Sequence, residues 1–152
     1  MSAVRDRLGA LGLTLPDVVP PVAAYVPAVR DGDLVWTSGQ LPMVGGQLVT
    51  TGLVGADVTP EDAKDLARTC ALNALAAVQS VVDVDSVVRV VKVVGFVASA
   101  PGFTGQPGVV NGASELLGDV FGEAGRHARS AVGVAVLPLN APVEVEIVVR
   151  VS

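Results

Sequence analysis

The chain has 152 residues, 51% of them hydrophobic and only 16% charged, with a formal net charge of −5. That length fits one domain over residues 1–152, and so low a charge points to a membrane protein or to one burying surface twice, in a core and in a subunit interface. The interface reading is the better one: the longest valine-rich run, Val87 to Val97, is broken by Arg89, Lys92 and Gly95 and falls short of the roughly 18 apolar residues a membrane helix needs.

Residues 1–20 read as an N-terminal extension, with a short helical arm over Ser2 to Gly12 and a Pro-rich connector after it. Val22 to Val29 and Asp33 to Gln40 are strand-like, and the Asp31-Gly32 pair between them is a hairpin signal. Gly45-Gly46 before Gln47-Leu48-Val49 suggests a further small strand. Thr59-Pro60-Glu61-Asp62 opens a helix: Thr59 caps, Pro60 suits the first position, and the acids favour the positive end of the dipole. Ala63, Leu66, Ala67, Cys70, Ala74, Ala77, Val78 and Val81 then share one face. Val87 to Ala98 is too β-branched for a helix and reads as a long strand. A Gly/Pro loop over 99–108 leads into a second helix, Pro107 to Phe121.

The last stretch, Gly125 to Glu146, reads as two strands joined by a Pro-rich turn centred near Leu139 and Asn140. The expected fold is α/β (α+β): a mixed β-sheet of about six strands with two helices packed on one face. If the final strands form a hairpin, Arg129 lies across from Arg150 and Glu144 across from Ala135. Arg129 and Glu144 are then roughly 20 Å apart along the ladder. The branched faces, Val132 and Val134 on one strand and Val143 to Val151 on the other, should meet the helices. The small apolar face of Ala131, Gly133, Ala135 and Val148 should meet another subunit.

Chemistry is sparse. One histidine and one cysteine cannot build the usual zinc sites, and no phosphate-binding Gly loop or nucleophile elbow is present, so no metal or cofactor is expected. Cys70 lies mid-helix on the apolar face and reads as packing. An isoelectric point near 4.6 disfavours a nucleic-acid partner. A lone cysteine, and no apolar leader from Met1 to Arg7, suit a cytoplasmic protein. What remains is Arg129, Glu144 and His127. Arg129 is either a rim arginine in a surface ion pair or a carboxylate clamp, its planar fork matching that anion. Glu144 is either a solvated edge residue or a partly buried acid with a raised pKa that positions water. His127 is either structural or lines the same site.

Five segments together resemble the RidA/YjgF family, also labelled endoribonuclease L-PSP and chorismate-mutase-like. They are Tyr25 in Ala24-Tyr25-Val26-Pro27; Leu34-Val35-Trp36-Thr37-Ser38-Gly39-Gln40-Leu41-Pro42; Val110-Asn111; His127-Ala128-Arg129-Ser130-Ala131-Val132 with Leu137-Pro138; and Val143-Glu144-Val145-Glu146. The resemblance implies a homotrimer with ligand clefts between neighbours. It also implies hydrolysis of enamine/imine intermediates to 2-keto acids and ammonia. Carried over, Arg129 and Glu144 are the catalytic pair, clamping the substrate carboxylate and orienting water. Ser38 and the Gly39 backbone assist, and Tyr25, Asn111, His127 and Ala131 line the cleft. Two departures mark a longer subgroup: Ala131 stands where the deaminating branch commonly has Cys, and His127 where proline is frequent. A non-catalytic carboxylate sensor and a ribonuclease are the alternatives.

Overall fold

The computed structural model describes residues 3–21 and 23–152. A short helix α1 (Val4–Ala10) precedes strands β1 (Ala28–Asp31) and β2 (Leu34–Thr37) and the two-residue strands β3 (Met43–Val44) and β4 (Gln47–Leu48). Helix α2 (Pro60–Gln79), strand β5 (Val87–Ala98), helix α3 (Gln106–Phe121), and strands β6 (Ala128–Val134) and β7 (Val143–Val151) complete it. The main sheet has five strands in the order β1-β2-β7-β5-β6, and β3-β4 form a separate ribbon. The fold is therefore mixed α+β, with five strands in its sheet where about six were expected. Gly45 and Gly46, at φ 60° and 81°, supply the left-handed turn that folds β3 onto β4 without reaching the main sheet.

Helix α2 starts as its sequence dictates: the Thr59 hydroxyl accepts the Asp62 amide at 3.1 Å, and Pro60 occupies the first turn. Helices α2 and α3 lie side by side on one face of the sheet. Gly112 permits this closeness, since a Cβ there would run into the Lys64 carbonyl. Val143, Val145, Ile147, Val149 and Val151 of β7 face the helices and are essentially fully buried. Burying each is worth about 1.5–3 kcal/mol. The arm is part of this packing: Val4 and Leu8 are buried. Arg7 donates from Nη1 to the Val120 carbonyl at 2.7 Å, and Arg5 bridges Asp83 and Asp85 at 3.1 and 3.0 Å. Among the described residues no helix is long and apolar enough to cross a membrane.

Four expectations are corrected. The first strand begins at Ala28, because Pro27 and a tight turn at Tyr25 break the run before it; Val22 lies outside the described residues. The second strand ends at Thr37, with Gln40 joined to β7 only by an isolated bridge to Val145. The third concerns the last two strands, which do not pair with each other. Strand β6 runs parallel to β5, and β7 lies antiparallel on the other side of β5. The βαβ unit β5-α3-β6 explains this, because such crossovers make parallel neighbours. The connection after β6 passes over the end of β5 through a 3₁₀ turn, Pro138–Asn140. There Ser99 donates to Val134 and Ala98 to the Pro142 carbonyl.

The fourth correction follows from the third. On β6 the small residues Ala131 and Gly133 pair with Gly95 and Val97 and face the helices, while Val132 pairs with Phe96 on the open face and is 44% exposed. The branched-face rule therefore holds for β7 and is inverted for β6. Gly133 lies beside Gln106 and Ser99, not in an apolar interface. The helix-free face of the sheet instead presents Val29, Trp36, Val94, Phe96, Val132 and Val148, with Trp36 51% exposed.

Candidate functional site

Helix α3 and the edge strand β6 build one half of the site. Arg129 pairs with Val93, which fixes its side chain on the helix side of the sheet. There Pro107, Asn111 and Ser114 line up along α3 at helical spacing. Arg129 Nη1 donates to Asn111 Oδ1 at 2.7 Å and to Ser114 Oγ at 3.2 Å, and Nη2 donates to the Pro107 carbonyl at 3.3 Å. His127, just before β6, has Nδ1 2.6 Å from the Gly125 carbonyl and Nε2 2.9 Å from Ser114 Oγ. Among the described residues Arg129 forms no ion pair; its three partners are neutral oxygens. A half-buried guanidinium without a counter-charge is poised to take an anion, and two of its five N–H groups, on Nε and Nη2, remain to bind it.

The other half lies near the opposite edge. The Ser38 amide donates to the Pro27 carbonyl at 2.8 Å and its hydroxyl to the Val26 carbonyl at 2.6 Å, which holds the segment of Tyr25 against the end of β2. Gln40 and Val145 exchange backbone hydrogen bonds of 2.8 and 3.0 Å. This brings Gly39 against the Glu144 carboxylate so closely that any side chain at Gly39 would strike it. Glu144 is half-buried on the open face of β7, and its pKa is raised by burial first and by the neighbouring Glu146 second. Cys70 is fully buried, its thiol pushed well up by burial and then by Glu144, which fits a packing role.

The predicted residues thus fall into two groups. Asn111, His127 and Arg129 come together, with Ala131 next along the same face of β6. Tyr25, Ser38, Gly39 and Glu144 form the second group. Within one chain Ser38 and Gly39 therefore do not reach Arg129. Arg129 sits opposite Val93 and Glu144 opposite Phe96, both on β5, not opposite Arg150 and Ala135 as a hairpin would require. Three residues along β5 and two strand spacings separate their Cα atoms by about 14 Å, and the side chains point to opposite faces. The residue missed from sequence is Ser114. Its signal was its place three residues after Asn111, on the same helix face.

The sequence profile described as "YjgF/chorismate mutase-like, putative endoribonuclease" matches residues 5–150. The chain belongs to this family. Protein TCP17 of Trypanosoma cruzi is 46% identical over 153 residues, covering 98% of this chain and 94% of that protein. An Agrobacterium tumefaciens protein of unknown function is 47% identical, covering 98% and 92%, and superposes with a TM-score of 0.91. Escherichia coli TdcF, crystallised with bound serine, is 25% identical, covers 89% and 94%, and has a TM-score of 0.66. The YjgF/chorismate mutase-like fold is thus present. The first two relatives match almost the whole chain, as expected of a longer subgroup, while TdcF matches less of it.

Proposed function

We propose that this YjgF-family protein is an imine/enamine deaminase of the RidA type, hydrolysing reactive 2-imino acids to 2-keto acids and ammonia at sites shared between subunits of a homotrimer. The observation that carries the reading is the uncompensated Arg129 guanidinium, aimed by neutral partners and left with two free N–H donors. The substrate carboxylate binds there. Water, oriented by Glu144 of a neighbouring subunit, adds to the electrophilic C2 of the iminium. The carbinolamine then expels ammonia, and the carbonyl of the keto acid remains. Little beyond orientation and one proton exchange is needed, and a half-buried carboxylate whose pKa is raised by burial suits that exchange. Tyr25, Ser38, Gly39, Asn111 and Ala131 line the shared cleft. The exposed apolar face around Trp36 supports the oligomer, since a monomer would leave it in water. The lone cysteine supports a cytoplasmic setting.

A second reading has its own support. Ala131 replaces the cysteine common in the deaminating branch, and TdcF carries serine, so a non-catalytic sensor of small amino or keto acids also fits. Ribonuclease activity, the family's other label, suits a chain of net charge −5 poorly.

The test generates 2-aminoacrylate with a serine dehydratase and follows pyruvate release. Deamination predicts acceleration that disappears in Arg129→Ala and equally in Arg129→Lys, whose ammonium keeps the charge but loses the fork. Unchanged release, with keto-acid binding intact, establishes the sensor instead.

A further inference from the structure

We infer that Ser114 and His127 form a positioning relay that holds the Arg129 guanidinium in register and thereby sets the site's preference for carboxylate over carboxamide ligands. The inference rests on the proposed role of Arg129 as the carboxylate clamp. It begins with the Gly125 carbonyl, which can only accept. At 2.6 Å from His127 Nδ1 it keeps the ring proton on that nitrogen. In the neutral ring Nε2 is then an acceptor, and the group 2.9 Å away is the Ser114 hydroxyl. With its proton committed to Nε2, Ser114 Oγ turns a lone pair toward Arg129 Nη1 at 3.2 Å. Asn111 Oδ1 takes the second Nη1 hydrogen at 2.7 Å. Both Nη1 hydrogens are spent inward, so the Nε and Nη2 edge is what remains for a ligand.

The Ser114 rotamer supports a dedicated role. Hydroxyls on and just after α2 fall back on that helix: Thr69 bonds the Asp65 carbonyl at 3.4 Å, and Ser80, the residue after its last turn, the Ala77 carbonyl at 2.6 Å. Ser114 makes no such bond among the described residues and is turned outward to His127 and Arg129. Without the imidazole acceptor, its proton would fall back on a carbonyl of α3 one turn earlier, and the lone pair aimed at Nη1 would no longer be fixed. Neither Ser114 nor His127 need touch substrate for this to act.

The test is calorimetric binding of 2-oxobutyrate and of 2-oxobutyramide to the purified oligomer. In Ser114→Ala and in His127→Phe, affinity for 2-oxobutyrate falls about tenfold, equivalent to about 1.4 kcal/mol. Affinity for the amide is unchanged, and Ser114→Thr, which restores a hydroxyl, binds both like the wild type. Equal losses for both ligands, or no loss for the carboxylate in Ser114→Ala, overturn the relay. Arg129→Ala separates this from the parent reading. If it abolishes 2-oxobutyrate binding while Ser114→Ala binds 2-oxobutyrate like the wild type, the clamp stands and the relay falls. If Arg129→Ala itself binds normally, both fall.

Discussion

Gly39→Ala is the sharpest probe of the Glu144 half of the site. An added Cβ would lie 2.7 Å from Glu144 Cδ and 3.0 Å from Cγ, where ordinary contact begins at 3.4 Å, and it would overlap Oε1 outright. The Cδ atom alone must retreat by about 0.7 Å and Oε1 by considerably more, which is the overpacking problem in miniature. The atoms that must move belong to the end of a flexible side chain, not to backbone, so the fold survives. A shifted rotamer costs about 0.5–1.5 kcal/mol. Melting temperature should fall by about 2–4 °C per kcal/mol for a chain of this size. Turnover should suffer far more, because a misplacement of about 1 Å in a positioned group costs about 10²-fold. The assay pairs a thermal melt with pyruvate release from 2-aminoacrylate and with 2-oxobutyrate binding. The expected pattern is a small melting shift, binding nearly retained and turnover lost. Wild-type turnover would refute the water-orienting role of Glu144, and a collapsed melt would show that the backbone, not the carboxylate, takes up the clash.

Gly118, exposed on α3 with open space where a Cβ would stand, offers the opposite outcome: Gly118→Ala should stabilise the protein by about 0.5–1 kcal/mol, read as a higher melting temperature with unchanged turnover. Because the folded pKa of Glu144 is raised, its contribution to stability is fully present below the ordinary carboxyl value of 4.5 and is lost as pH rises through the folded value. Glu144→Gln should remove that slope and melt higher than wild type at pH 7; an unchanged pH–stability curve would contradict the raised pKa of the half-buried carboxylate. Mixing Arg129→Ala with Glu144→Ala under subunit exchange should restore part of the activity, since some clefts then receive one intact half from each chain. Exchange verified by mass with nothing recovered would mean that the two residues do not share a ligand across chains.

Much of the fold was legible because local physics and packing agree in it. The Thr59-Pro60 helix start, the apolar stripe of α2 from Ala63 to Val78 and the alternation in β7 each follow from a single rule, and the structure obeys each; Val81, expected on the same stripe, falls past the end of α2 at Gln79 and is exposed. Strand pairing was less legible because it is not local. The gap from Val134 to Val143 looks like a turn, but it is too long for a tight hairpin, and the strand-helix-strand order before it already favoured a parallel β6. The face of β6 followed the wrong partner, since valine prefers burial but on an edge strand may cover either side. Ser114 escaped notice for another reason. A serine in a helix has no signature of its own, and its meaning comes from His127 and Arg129 arriving from a different strand.

The misread pairing and the observed topology lead to the same demand on the site, and by different routes. A hairpin would have separated Arg129 from Glu144 along one ladder. In the structure β5 stands between them, so Arg129 looks toward α3 while Glu144 looks away from both helices. No rotamer change brings two side chains through a sheet. A small imino acid held by Arg129 can meet a Glu144 carboxylate only if another chain supplies it. The exposed face around Trp36 and Val132 is where such a chain has apolar surface to bury. The same crossover that places β6 at the sheet edge leaves Arg129 next to that boundary. In this reading catalysis and assembly are one property, and a variant that dissociates the oligomer without touching either residue should be inactive while still folded.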